Sequence, residues 1–286
     1  MIFRQNFCRF LIYLIFPLIF LFDSCTTTSS FKNDESKSQV LEIEQLVPQE
    51  IKWKNLEDGI QITNYSINSL QVSWHCVKID LDTPGLQIIF EPHKNSLGKS
   101  LNVKKVGKKQ KALVAINSTP FYMDGKIPLP LGITKFDGKI ITNTHRNLSA
   151  LCFYKNQEQK LRAHIINLQT KENLRPFEHA FGGFYTILQN EQILSFVKKR
   201  DSRTAVGISQ DGKMLYILVA TPKPHAFYKN GLYFEECAQI FKYFGCDSAM
   251  QFDGGNSSCL VVKSKVLQKP LFDSKTTSVL GFKICR

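Results

Sequence analysis

Gln251-Phe252-Asp253-Gly254-Gly255-Asn256-Ser257-Ser258 sets one carboxylate at the end of a short apolar run, ahead of two glycines, an amide and two hydroxyls. Glycines permit positive φ and let backbone N–H groups come close to a ligand. Successive N–H groups in such a turn can form an anion-binding concavity. A plain hairpin turn is the competing reading, and Asp58-Gly59, Asp124-Gly125, Asp137-Gly138 and Asp211-Gly212 read that way between extended runs. The Asp253 stretch differs in context: a helical segment and a short strand precede it, and small polar residues follow. On the residues alone, site and turn stand about level.

Outward from this loop the pattern gives the fold class. Residues 232–244 place Phe234, Cys237, Ile240, Phe241 and Phe244 at helical spacing, a core-packing stripe, with Gly245 as its C-cap. Residues 248–252 and 259–262 read as strands on either side of the loop, and 278–284 as the strand that closes the sheet. Upstream, 60–67, 70–81 and 86–91 alternate apolar and polar residues as half-buried strands do. A short amphipathic helix is predicted over 100–111. A buried strand over 112–116 leads into Asn117-Ser118-Thr119-Pro120. Further strands are predicted over 131–136, 139–142, 148–154 and 161–166, and a hairpin over 204–209 and 214–220. Ala180-Phe181-Gly182-Gly183-Phe184 reads as a glycine-containing loop. No repeat and no linker composition follows residue 50. The expectation is one strand-rich mixed α+β domain over 51–286, with a few helices packed on the sheet.

The chain carries 37 Lys and Arg against 24 Asp and Glu, a formal charge of +13. That balance favours anionic partners. Much of it lies in runs such as Lys198-Lys199-Arg200, which read as solvated faces, and no nucleic-acid motif accompanies them. At the N-terminus, Arg4 and Arg9 precede a short apolar run ending at Phe22, followed by Asp23-Ser24-Cys25 and a Thr/Ser/Lys-rich stretch. This resembles a bacterial lipoprotein signal, although Phe22 and Asp23 are not the usual residues before the cleavage site. The expectation is a signal peptide over 1–24, lipidation at Cys25 and a tether over 25–50. The protein is then exported to the cell envelope and held at the bacterial membrane by its lipid. The remaining six cysteines permit disulfides in an exported chain, with buried free thiols as the alternative. No CxxC pair occurs, which argues against zinc.

Three polar loops follow or precede strands: Asn117-Ser118-Thr119, the 200–204 segment and 253–258. Loops at strand ends are where sites gather. Arg203 opens the small-residue strand Thr204-Ala205-Val206-Gly207, and a guanidinium there needs a carboxylate or an anionic ligand. Asp253 as its structural ion-pair partner is the main alternative to a catalytic Asp253. Asn117 alone reads first as a turn cap. His145, His179 and His225 have no nucleophile motif beside them, and HExxH, GxGxxG, P-loop and EF-hand patterns are absent. The sequence requires no cofactor and leaves a divalent cation open.

Taken together, Ala115-Ile116-Asn117 with Phe121, Pro130-Leu131-Gly132, Arg203-Thr204-Ala205-Val206-Gly207, the 232–245 helix and Asp253-Gly254-Gly255-Asn256-Ser257-Ser258 resemble, in order, the phosphodiester glycosidase domain. Asn256 stands where that family's motif has a third glycine, and Ser118 where a glycine is common. The resemblance implies hydrolysis of a sugar-1-phosphodiester at the anomeric carbon. It implies Asp253 as nucleophile or base, Arg203 on the phosphate, and N–H donors from Gly254 and Gly255. Asn117 and Ser257 would orient the substrate, with Thr204, Asn256 and Ser258 lining it. A phosphosugar or envelope glycan is the implied partner. The alternative is an inactive glycan- or phosphosugar-binding envelope lipoprotein.

Overall fold

The alternation in the strands assigns each apolar side chain to one of two layers. In 72–80, Val72, Trp74 and Cys76 point to one face of the sheet and Val77 and Ile79 to the other. The computed structural model describes residues 39–92, 97–194, 199–224, 226, 230–270 and 275–285. The predicted signal peptide, Cys25 and the tether up to residue 38 lie outside them, as does His225.

Three antiparallel sheets and one separate hairpin make up the domain. The large sheet runs β1 (Lys54–Glu57), β2 (Ile60–Ile67), β3 (Val72–Asp80), β16 (Met214–Pro222), β15 (Arg203–Ile208), β17 (Ser248–Gln251), β13 (Thr186–Gln189) and β14 (Gln192–Ile193). A second sheet runs β11 (Leu161–Ile166), β10 (Ala150–Lys155), β12 (His179–Gly182), β8 (Thr134–Phe136) and β9 (Lys139–Thr142). The third runs β19 (Lys265–Gln268), β18 (Leu260–Val262), β5 (Val114–Asn117), β20 (Val279–Ile284) and β4 (Leu86–Glu91). The hairpin is β6 (Phe121–Asp124) with β7 (Ile127–Pro130).

The main core fills the space between the inner face of the large sheet and the two smaller sheets. Val77, Val206, Ile217 and Met250 meet Phe90, Ile116 and Phe282 on one side and Phe153 and Phe181 on the other. Full burial of such side chains contributes about 1.5–3 kcal/mol each. Among the described residues, four α-helices cover outer faces. Helix α4 (Phe234–Tyr243) packs Phe234, Cys237 and Phe241 on the outer face of the large sheet, against Trp74, Ala205 and Leu218. Gly207 makes room for it, since a Cβ there would lie 2.6 Å from the Phe241 ring. Helix α1 (Ile43–Leu46) joins the same cluster, and the Leu46 carbonyl accepts from Trp74 Nε1 at 2.8 Å. Helix α2 (Val103–Lys109) covers the third sheet and α3 (Lys171–Leu174) the second.

The strand-rich prediction matches this architecture, with the helical share smaller than an α+β label suggests. The 100–111 helix begins only at Val103, because Asn102 caps it by accepting from the Lys105 N–H. The predicted loop at 180–184 is in part strand β12. Its glycines answer close backbone approach rather than a turn: a Cβ on Gly183 would lie 2.4 Å from the Gln251 carbonyl oxygen. The last residues of the predicted tether are docked. Leu41 N–H donates to Glu236 Oε1 at 3.0 Å, and Glu236 in turn holds Arg200 through bonds of 2.5 and 2.7 Å. Arg200 also donates to the Gln39 carbonyl. Cys76, Cys152, Cys237 and Cys246 are buried free thiols, Cys259 is buried as well, and Cys285 is an exposed free thiol. Burial raises the thiol pKa of the first four, that of Cys237 to about 12.

Candidate active site

One end of β5 organises the site. β5 finishes at Asn117, while β18 and β20, antiparallel to it, begin at that same end, with Val279 opposite Asn117 and Leu260 opposite Ile116. On the large sheet, β15 starts at Arg203 and β17 ends two residues before Asp253. The two sheet ends meet through the fully buried Asn117 side chain. Its Nδ2 donates to the Asp253 carbonyl at 2.7 Å. Its Oδ1 accepts from Thr204 Oγ1 at 2.7 Å and from Cys259 N–H at 3.0 Å. The resemblance implied that Asn117 orients the substrate and Thr204 lines it; in the structure their side-chain bonds tie together the loops that hold Asp253. The Asp253 N–H donates to the Ser118 carbonyl, completing the clamp.

The loop itself needs its two glycines for different reasons. Gly255 sits at φ +57°, and a Cβ on Gly254 would stand 2.8 Å from the Ser202 carbonyl oxygen. Their N–H groups are not free phosphate donors as expected. Gly254 N–H donates to Asp253 Oδ1 at 3.0 Å and Gly255 N–H to the Ser202 carbonyl at 2.9 Å. Residues 255–257 form a single 3₁₀ turn, in which Asn256 is exposed and Ser257 Oγ donates to the Lys275 carbonyl.

Asp253 is the electrostatic centre. Part of the residue reaches the surface, yet Oδ2 is buried with no hydrogen-bond partner among the described residues. Burial pushes its carboxyl up to about 7. The nearby Ser257 hydroxyl and the Gly254 N–H oppose that rise, and the charge of Asp201 adds to it. Buried polar atoms are normally bonded. Here Thr119 Oγ1, Ser258 Oγ and Thr277 Oγ1 share the condition of Asp253 Oδ2, all in loops at this end of the third sheet.

Arg203 is buried on the α4 side, its guanidinium 4.4 Å from the Phe234 ring centroid. Nε donates to the Leu232 carbonyl at 2.8 Å and Nη2 to the Lys199 carbonyl. Nη1 lies 3.9 Å from where a Cβ on Gly254 would be, which places it beside the catalytic-loop candidate. Among the described residues no carboxylate is in ion-pair contact with Arg203, so the structural Asp253–Arg203 pair does not form. Desolvation lowers the guanidinium pKa, opposed by the charges of Cys237, Asp201 and Glu236. A guanidinium buried this way is suited to an anionic partner.

Asp201 and Thr277 were not singled out from sequence, and Thr119 was named only as part of the Asn117-Ser118-Thr119 loop. Asp201 had a signal, standing two residues before Arg203 in a segment already read as polar. Its carboxylate accepts from the Ser202 N–H and lies 3.6 Å from a Cβ position on Gly255. Thr277 carried none. No group of three or more His, Cys, Asp or Glu close enough for a metal ion occurs among the described residues.

The sequence profile of the phosphodiester glycosidase family matches residues 110–283. Among solved structures, the fold is similar to that of a hypothetical protein from Synechocystis, with TM-score 0.65 and 14% identity. The alignment covers 82% of this chain and 64% of that one, so this chain spans under two thirds of that relative. It is also similar to the catalytic domain of zebrafish N-acetylglucosamine-1-phosphodiester alpha-N-acetylglucosaminidase, described as auto-inhibited by its pro-peptide. There the TM-score is 0.59 and the identity 19%, with 83% of this chain and 88% of that one covered. No curated protein matches the chain. The matched region is more than half of the sequence and contains Asn117, Arg203 and Asp253, and the chain therefore belongs to the phosphodiester glycosidase family.

Proposed function

We propose that this protein is an exported hydrolase that cleaves sugar-1-phosphodiesters at the anomeric carbon, releasing free sugar and a phosphomonoester. The observation that carries this reading is a buried, incompletely bonded Asp253 carboxylate beside a buried Arg203 that has no carboxylate partner among the described residues, in adjoining loops. In the ionised state Asp253 supplies an electron pair, either to the anomeric carbon directly or to a proton of the attacking water. The bond from that carbon to the phosphate oxygen breaks, and the phosphate leaves with the bonding electrons. Water supplies the new sugar hydroxyl. Phosphate is a good leaving group, so the demand for a strong general acid is lower than in ordinary glycosidases. Arg203 binds the phosphate oxygens. Asn117 and Thr204 act as positioning residues. Burial keeps the Asp253 proton affinity high, and the charge of Asp201 adds to it. The N-terminal pattern supports attachment to the envelope through Cys25.

The test is release of free sugar from a panel of sugar-1-phosphodiesters by wild type and by folded Asp253→Asn. Release by the wild type alone supports the reading, and its rate should rise with pH through about 7 as Asp253 ionises. Phosphosugar binding without turnover by the wild type would point to the binding-protein alternative.

A further inference from the structure

A second groove, of about 650 Å³, opens at the far end of the same central strands. Ser248 of β17 lines it, five residues from Asp253. At 3.3–3.4 Å per residue, that is about 17 Å along the chain. The chemistry of its walls is unlike the rest of the molecule. The chain has 37 Lys and Arg, yet none lines the groove. Three carboxylates do, Glu172, Asp211 and Asp247, together with the amides of Asn167, Asn173, Gln189, Asn190 and Gln210. Arg146, Lys171 and Arg162, whose charges reach Glu172 and Asp211, stand outside the lining.

These polar groups are held in place by one another. Thr186 Oγ1 donates to Asn167 Oδ1 at 2.6 Å, and Asn167 Nδ2 donates to Gln189 Oε1 at 2.8 Å, leaving Gln189 Nε2 as the end of the relay. Asn173 Nδ2 donates to the Leu168 carbonyl, which leaves its Oδ1 to accept. Ser248 Oγ holds one oxygen of Asp247, and Ser209 Oγ with the Lys213 N–H holds one oxygen of Asp211. The apolar element is aromatic: His164 stacks on Phe177 with ring planes 12° apart, and Tyr154 meets Phe177 edge-on at 5.9 Å.

We propose that this groove is a second binding site, for an uncharged oligosaccharide. Planar amides and carboxylates pair with vicinal hydroxyls, and aromatic rings take the C–H face of a sugar. The absence of any cation from the walls turns away the phosphorylated ligands that Arg203 would attract. The site would hold a glycan chain against the domain while a phosphodiester occupies the Asp253 end, and it does not depend on the hydrolase reading.

The full chain in mild detergent would be titrated calorimetrically with chitohexaose, maltohexaose, cellohexaose and mannohexaose. Binding of at least one is expected. Phe177→Ala and Gln189→Ala should each weaken it by about tenfold, the effect of losing one good contact. Gln210→Lys, an exposed change that spares folding, should weaken it as well, and Asp253→Asn should leave it intact. No binding of any of the four, binding that survives all three groove variants, or binding lost in Asp253→Asn would overturn the proposal.

Discussion

Asp253→Asn should make the protein more stable at alkaline pH while removing its activity. The carboxyl is raised from 3.8 to about 7, which at roughly 1.4 kcal/mol per tenfold change corresponds to about 4 kcal/mol. The sign follows from linkage: the folded state holds this proton more tightly than the unfolded chain. Stability from the neutral carboxyl is therefore fully present below about pH 4 and is lost as pH rises through about 7. The amide cannot ionise and escapes that loss. It keeps an oxygen for the Gly254 N–H but sets an NH₂ where Oδ2 lacks a partner, at a cost of about 1–3 kcal/mol. The balance at pH 8.5 favours the variant by about 1–3 kcal/mol. At pH 5 the unfolded carboxyl is already ionised while the folded one is largely neutral, so the wild type has lost only about 2 kcal/mol; the cost of the amide roughly offsets this, and the two proteins should unfold at similar urea concentrations. Urea unfolding at the two pH values measures this directly. A variant less stable than wild type at pH 8.5 would show that Asp253 is held as a stabilised charge, and the account of its high pKa would be wrong.

Asn117→Ala would strand the Thr204 hydroxyl, the Cys259 N–H and the Asp253 carbonyl, and urea unfolding should show a loss of about 4 kcal/mol. Arg203→Lys keeps a cation but not the planar fork. Steady-state kinetics on a cleaved phosphodiester should show KM raised about tenfold or more with kcat less affected. Glu236→Gln should destabilise by about 3 kcal/mol in thermal unfolding, because it leaves the Arg200 guanidinium of a buried pair uncompensated.

The features legible in the sequence were those encoded locally. Period-two alternation located 60–67 and 86–91 with the bounds that β2 and β4 have, and the strand-rich pattern beyond them located 161–166 as β11. The Asp253 loop stood out because glycines and hydroxyls follow a strand. Long-range pairing was not legible. Nothing near Gly183 says that the Gln251 carbonyl will pass 2.4 Å from its missing Cβ, so a strand was read as a loop. Likewise, the Gly254 and Gly255 N–H groups looked available until their acceptors, Asp253 Oδ1 and the Ser202 carbonyl, came into view. Asn117 read as a cap because its three partners lie 87 to 142 residues away. The docking of 39–47 depended on Glu236 and Trp74, both remote in sequence.

The Asn117 clamp also sets when the site can exist. Its bonds rivet the strand ends of one sheet to those of another, so neither sheet alone contains a complete version of the constellation. Contacts of such sequence separation form late, because loop closure must come first. A chain nicked or arrested with one sheet built would hold Asp253 on an unbraced loop. Any signal that depends on the braced loop therefore reports on the whole domain, and a preparation's specific activity would count correctly assembled molecules rather than partly structured ones.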